Sequence, residues 1–197
     1  MFKPAFAPWK ADYSRSRWLF LFSFLASGIA AVAAPRNLHA ALVSAGLAVV
    51  LFLLFLGARR SGDRRRFGQR TETSAVKTLT NRLPPGWKSE SGIGHPSFGD
   101  IDALLTDPHK AKYVVEIKSF HGLRLSSHNE LVKMNGDRLT KDVIKQVKAQ
   151  IFYVNAKHAI IWMPNARKGS VFQHNGVIIV SGGVDLLLQL LCGLHEA

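Results

Sequence analysis

The chain has 197 residues, which leaves room for one ordinary soluble domain and an appendage. Its single cysteine, Cys192, excludes an internal disulfide framework. A formal net charge of +13 is concentrated toward the start: residues 1–70 hold 11 Lys and Arg against Asp12 and Asp63, whereas residues 71–197 hold 15 against 11 acidic groups.

Residues 18–34 (WLFLFSFLASGIAAVAA) and 40–57 (AALVSAGLAVVLFLLFLG) contain no ionisable side chain. Each approaches the roughly 20 residues a helix needs to cross the hydrocarbon core. With only APRNLH between them, they are expected to form a transmembrane hairpin. Lys3, Lys10, Arg15 and Arg17 precede the first span and Arg59, Arg60, Arg64, Arg65, Arg66 and Arg70 follow the second, against Arg36 alone in the turn. The positive-inside rule then places 1–17, as a basic N-terminus, and everything after the second span in the cytoplasm, on the inner face of the cell membrane. Trp9, Tyr13 and Trp18 suit an interfacial belt, and small residues four apart (Ala26 and Ala30, Ala41 and Ala45) suit close helix approach. The alternative for the first segment is a cleaved signal peptide, in which case the second span stops transfer. The run RRSGDRRRFGQR, within a basic juxtamembrane linker at 58–70, is explained by topology and anionic headgroups before any DNA-binding tail is invoked.

From 71 to 197 the pattern is that of one α/β unit. TETSAVKTLTNRL, 71–83, has helical spacing and stops at Pro84-Pro85-Gly86. WKSESGI is a short strand or extended arm, and GIGHPS a loop. DIDALLT, 100–106, and KYVVEIKS, 112–119, are strands joined as a hairpin by DPHKA. Residues 121–139 are polar, a loop with short extended pieces. Residues 140–156 form a helix with Thr140 as cap, Asp142 in its first turn, and Val143, Val147, Ile151 and Val154 as its apolar stripe. HAIIWM, 158–163, and GVIIV, 176–180, are buried strands, and VDLLLQLLCGL is a closing helix after Gly182-Gly183. The expected fold class is α/β, a mixed central sheet flanked by helices and preceded by the two-helix hairpin.

Strand alternation puts Glu116 and Lys118 on one face with Val114, while Tyr113, Val115 and Ile117 line the other. Asp100 and Asp102 share a face of the neighbouring strand, so pairing brings a carboxylate from each strand together. Two close carboxylates raise one another's pKa unless a cation sits between them. A hard dication resolves the conflict with oxygen ligands and retained water, and a lysine beside it can orient that water or stabilise charge on a phosphoryl oxygen. The competing explanation is a surface hairpin with solvated ion pairs, each contributing at most about 1 kcal/mol. The apolar setting of Glu116 speaks against that explanation.

The series GDID, then VVEIKSFHG, with Glu72 on a preceding helix and Gln146 on a following one, resembles the nuclease-related domain (NERD) family of the PD-(D/E)xK nuclease superfamily. The resemblance covers most of 71–180 in order of elements. It implies a restriction-endonuclease-like core in which Asp102 and Glu116 are metal ligands and Lys118 is the catalytic lysine. It further implies that Glu72 is the acidic residue of the first helix, a third candidate metal ligand, and that Gln146 is the polar catalytic residue after the core strands. Thr71 departs from the family pattern, which has glycine before that glutamate.

Other residues have weaker claims. Glu72 could equally favour the positive end of a helix dipole. Gln146 is balanced between the site and the helix surface, while Gln150, one turn on, is assigned to the surface with Tyr153. Lys141, Lys145 and Lys148, with Lys133 and Arg138, suit either a nucleic-acid backbone or a solvated face. His95 is a loop histidine close to the site. The expected function is a membrane-anchored endonuclease using Mg²⁺ or Mn²⁺ on nucleic acid, DNA first, with the lipid bilayer and a second copy of the chain as further partners. The alternative is a non-catalytic module that binds nucleic acid or a protein at the membrane, and a third reading is a hairpin for assembly in the bilayer.

Overall fold

The computed structural model describes residues 8–95, 99–128, 130–137, 139 and 142–196, the side chains of Pro8 and His95 excepted. Lys3, Arg138, Thr140 and Lys141 lie outside the described residues, as do positions 96 and 97 of the GIGHPS loop, Phe98 after it and the side chain of His95. The chain divides into two compact units, Met1–Gln69 and Arg70–Ala197.

The first unit is a helical hairpin. Helix α1 spans Pro8–Ala33, and α2, of 45 residues, spans Leu38–Arg82 and continues into the second unit. Asn37 starts α2 by accepting from the Ala40 amide at 3.1 Å, as a cap does. Both helices are long and apolar enough to cross a membrane. Their side chains differ from those of a soluble core helix in being open to the surroundings: Phe24 is 71 % exposed and Val43 73 %. The small positions Ala26, Ala41 and Ala48 face inward instead, and Ser23 Oγ donates to the Ala48 carbonyl at 2.9 Å. That bond gives the hydroxyl a partner inside the hairpin.

The basic start, over 8–17, and the linker at 58–70 are both helical, continuous with the apolar segments. Between these extensions, Trp9 Nε1 donates to Gln69 Oε1 at 2.6 Å, Tyr13 donates to Asp63, Arg65 pairs with Asp12 at 3.2 Å, and Arg66 lies over the Trp9 ring. With polar partners in reach and no proline or glycine pair to interrupt them, the helices run on. For the same reason the segment 71–83 is no separate helix but the end of α2, which stops before Pro84, where the missing N–H and ring of proline forbid continuation.

The second unit holds β1 (Lys88–Glu90), β2 (Ile93–His95), β3 (Gly99–Ile101), β4 (Ala103–Thr106), β5 (Lys112–Ile117), β6 (Leu123–Leu125), β7 (Leu131–Lys133), α3 (Val143–Val154), β8 (His158–Met163), β9 (Ser170–His174), β10 (Val177–Ser181) and α4 (Val184–Glu196). Six strands form a mixed sheet in the order β1-β4-β5-β8-β10-β9, with β5, β8 and β10 parallel to one another and the outer pairings antiparallel. The central strands, VVEI, AIIWM and VIIV, are nearly continuous runs of β-branched and large residues because helices cover both of their faces. On one face Tyr113, Val115 and Ile117 pack with Ala75 and Leu79 of α2 and with Val184, Leu187 and Leu191 of α4. On the other, Val114, Ala159, Ile161 and Met163 pack with Val143 and Val147 of α3. The facial assignment of β5 made from alternation therefore holds.

The strand expected over 100–106 is broken at Asp102. Its first part, β3, pairs with β2 in a separate two-stranded sheet, and its second part, β4, joins the main sheet. WKSESGI likewise divides between β1 and β2. The polar 121–139 stretch contains the β6–β7 hairpin, and β9, with little apolar signal, forms the edge beside β10. Helix α3 is shorter than 140–156: Asp142 is its cap, accepting from the Lys145 amide at 2.9 Å, and Asn155 closes it in the left-handed conformation at φ 50°.

Candidate active site

β5 and β8 run parallel, and the carboxyl ends of parallel strands are where a helix-covered sheet leaves room for chemistry. At that end the Lys118 amide donates to the Trp162 carbonyl at 2.8 Å, extending the β5–β8 pairing past Ile117 and fixing the two flanking side chains. Asp102 sits at the bend between β3 and β4. Because Ala103 is opposite Val115 in the register, the residue before Ala103 arrives beside the end of β5. Its Oδ2 accepts from the Ile117 amide at 2.7 Å. The aspartate is thereby tied to the main chain between Glu116 and Lys118.

Glu116 is 2 % exposed and has partners on both oxygens. Oε1 accepts from Lys118 Nζ at 2.5 Å and from Gln146 Nε2 at 2.9 Å. Oε2 accepts from Gln150 Nε2 at 3.2 Å, and the same nitrogen lies 3.3 Å from the Asp100 carbonyl. A buried carboxylate needs such donors, since an unpaired one would ionise only at great cost. Gln146 and Gln150 reach it because positions four apart lie above one another on the edge of α3 nearest β5. Gln150, assigned to the helix surface on sequence grounds, is wholly buried, and its Oε1 is left without a partner. Its i, i+4 relation to Gln146 is legible in the sequence but does not say whether that edge of the helix is buried.

The charges act on one another. Burial first, then repulsion from Glu116, pushes the Asp102 carboxyl up to about 8 despite the opposing pull of Lys118 and the Ile117 amide. Burial works against the charge of Lys118, but Glu116, Asp102 and Glu72 together hold its ammonium above the usual lysine value. Glu72, on α2 beyond the apolar span, has its carboxyl raised by burial, with Lys118 lowering it and Glu116 raising it. Asp102, Glu116, Lys118, Glu72 and Gln146 are thus brought together. Asp100 contributes only its main chain, its side chain being exposed.

Among the described residues no three His, Cys, Asp or Glu side chains stand as a metal-holding group, and His121 bonds only the Asn165 carbonyl. The donor chemistry nonetheless fits a hard dication. Asp102, from the β3–β4 bend, and Glu116, from the end of β5, are neighbouring carboxylates, and their repulsion adds to burial in raising the Asp102 carboxyl. A dication between them would relieve that repulsion. The chain matches no family model, no curated protein and no solved structure.

Proposed function

We propose that the chain is a membrane-anchored nuclease that hydrolyses nucleic-acid phosphodiester bonds with Mg²⁺ or Mn²⁺ at Asp102 and Glu116. The observation that carries the reading is the Asp102–Ile117 amide bond, which ties the aspartate to the strand end bearing Glu116 and Lys118. The resemblance to the NERD family supports it, as does the burial of Glu116 among donors. In this reading the hairpin spans the inner membrane, both termini and the α/β unit face the cytoplasm, and the preferred substrate is DNA.

Within that site Asp102 and Glu116 would hold the cation, with Glu72 as a further carboxylate close by. When bound, the ion neutralises charge on the phosphoryl group and acidifies a water. Lys118, kept protonated by its carboxylate neighbours, donates to the attacking water or to the phosphoryl oxygen as negative charge develops there. Gln146 and Gln150 keep the Glu116 carboxylate in one orientation, so reorganisation during reaction is small.

A second reading is favoured by one specific feature: both Glu116 oxygens are already occupied within the protein. A closed network of this kind suits a non-catalytic module that binds nucleic acid or a protein partner. The full chain in detergent micelles, incubated with plasmid or a single-stranded oligonucleotide and Mg²⁺, separates the two. Metal-dependent cleavage reduced at least about 100-fold in Lys118→Ala and Asp102→Asn is expected of the nuclease. Tight binding with no cleavage in the wild type leaves the binding module.

A further inference from the structure

Helix α3 has a second face. Lys145, Lys148, Ala149 and Phe152 follow one another at i, i+3, i+4 and i+7 and are all exposed, forming one stripe on the side opposite Val143 and Val147. Phe152 is 90 % exposed, more than any of the large hydrophobic side chains described on the apolar spans. The helix itself bears no acidic residue. An isolated exposed phenylalanine needs no explanation, but this one stands in line with two lysines on the helix that supplies Gln146 and Gln150 to Glu116.

We infer that this stripe docks an unpaired nucleic-acid strand, a base stacking on Phe152 and phosphates meeting Lys145 and Lys148; the inference rests on the nuclease reading and names its substrate as single-stranded. Three considerations lead there. The charge of the stripe is complementary to a polyanion. An aromatic ring with both faces open can stack only on a base whose own face is free, which a duplex denies it. Phe152 lies about 9 Å along the helix axis from Gln146 and about 120° around it, at 1.5 Å and about 100° per residue, so a strand that follows the open side of α3 passes from the ring to the residue that touches Glu116. A lipid surface is the less suitable occupant. A membrane-lying helix inserts a broad apolar face, and in α3 that face is already buried against the sheet, leaving Phe152 and the polar-tipped Tyr153 beside two lysines.

The test uses the full chain in detergent micelles with EDTA, so that nothing is cut, and a fluorescein-labelled oligothymidylate read by anisotropy. Phe152→Leu keeps the apolar bulk and loses the stacking face. It is expected to weaken single-strand binding about tenfold, to leave binding of the corresponding duplex unchanged, and to be rescued by Phe152→Trp. Lys145→Gln with Lys148→Gln should lower the salt dependence of binding by about 0.7 for each phosphate that the variant no longer neutralises. Because the ring is exposed, these variants leave the core intact, which circular dichroism checks. Unchanged single-strand binding in Phe152→Leu overturns the inference, and so does an equal loss on duplex or a loss seen only on anionic vesicles. Phe152-dependent strand binding without metal-dependent cleavage in the wild type would sink the nuclease reading and leave the docking stripe standing. Cleavage with strand binding indifferent to Phe152 would do the reverse.

Discussion

At the scale of single residues, the site is governed by charge excess in a confined space. Asp102 is raised to about 8 by burial first and by Glu116 second. The folded chain therefore keeps a proton that the unfolded chain has already released between the ordinary aspartate range and about pH 8. The stability this proton confers is complete below the ordinary range and is lost as pH rises through about 8. Thermal unfolding of the cation-free protein should show Tm falling across that window, and Asp102→Asn should flatten the fall. Mg²⁺ should raise Tm more at about pH 9 than at about pH 6, because at the lower pH it must first displace the proton. A pH slope unchanged by the substitution would contradict the assignment. Gln150 offers a separate measurement. Gln150→Leu removes the donor on Glu116 Oε2 and that on the Asp100 carbonyl, and should cost about 1–3 kcal/mol in denaturant unfolding. Gln146→Ala, at a partly exposed position, should cost less stability while still lowering cleavage. From the sequence, Asp102, Glu116 and Lys118 were recognisable by alternation and by charges embedded in an apolar run. Gln150 was not, because whether a glutamine is on the surface or in the core depends on the rotation of its helix against the sheet.

At the scale of elements, the end of the sheet opposite the candidate site is pinned by another buried carboxylate. Asp107, in the β4–β5 turn, accepts from the Ala111 amide at 2.8 Å, from Tyr113 at 3.1 Å and from His195 of α4 at 2.9 Å. His109 stacks on the same imidazole, with ring centroids 4.6 Å apart. Burial favours the neutral acid, but the bonds from His195, Ala111 and Tyr113 prevail and hold the carboxyl below its ordinary value. Its contribution is therefore present above the ordinary aspartate range and lost as pH falls through the depressed value. Asp107→Ala should lower Tm at pH 7 and reduce the dependence of Tm on pH in the acid range. Hydrogen exchange should show the last turn of α4 opening first, since that turn loses its anchor to the hairpin. The strands β5, β8 and β10 could be read directly, their β-branched runs having one stable use between two helical layers. The break at Asp102 could not, since DIDALLT alternates as a single strand and only pairing to two different sheets divides it.

At the scale of the whole molecule, two apolar helices and a basic α/β unit define where the chemistry would be performed. Cys192 is the sole cysteine and is exposed on α4, which makes it a topological reporter. With the α/β unit in the cytoplasm, a membrane-impermeant maleimide should label it only after cells are opened; labelling in intact cells would place the unit outside and overturn the proposed orientation. The amino-acid sequence by itself determined the two apolar segments, the boundary near residue 70, the facial split of β5 and the identity of the three charged residues. Each of these follows from local periodicity and composition, which neighbours along the chain decide. Only the tertiary structure decided that α2 runs unbroken from the apolar span to Arg82, that Asp102 marks a change of sheet, and that Gln150 is buried against Glu116 while Phe152 on the same helix is bare. Those outcomes depend on which surfaces meet across long stretches of sequence, and burial, unlike periodicity, is a property of the partners an element finds.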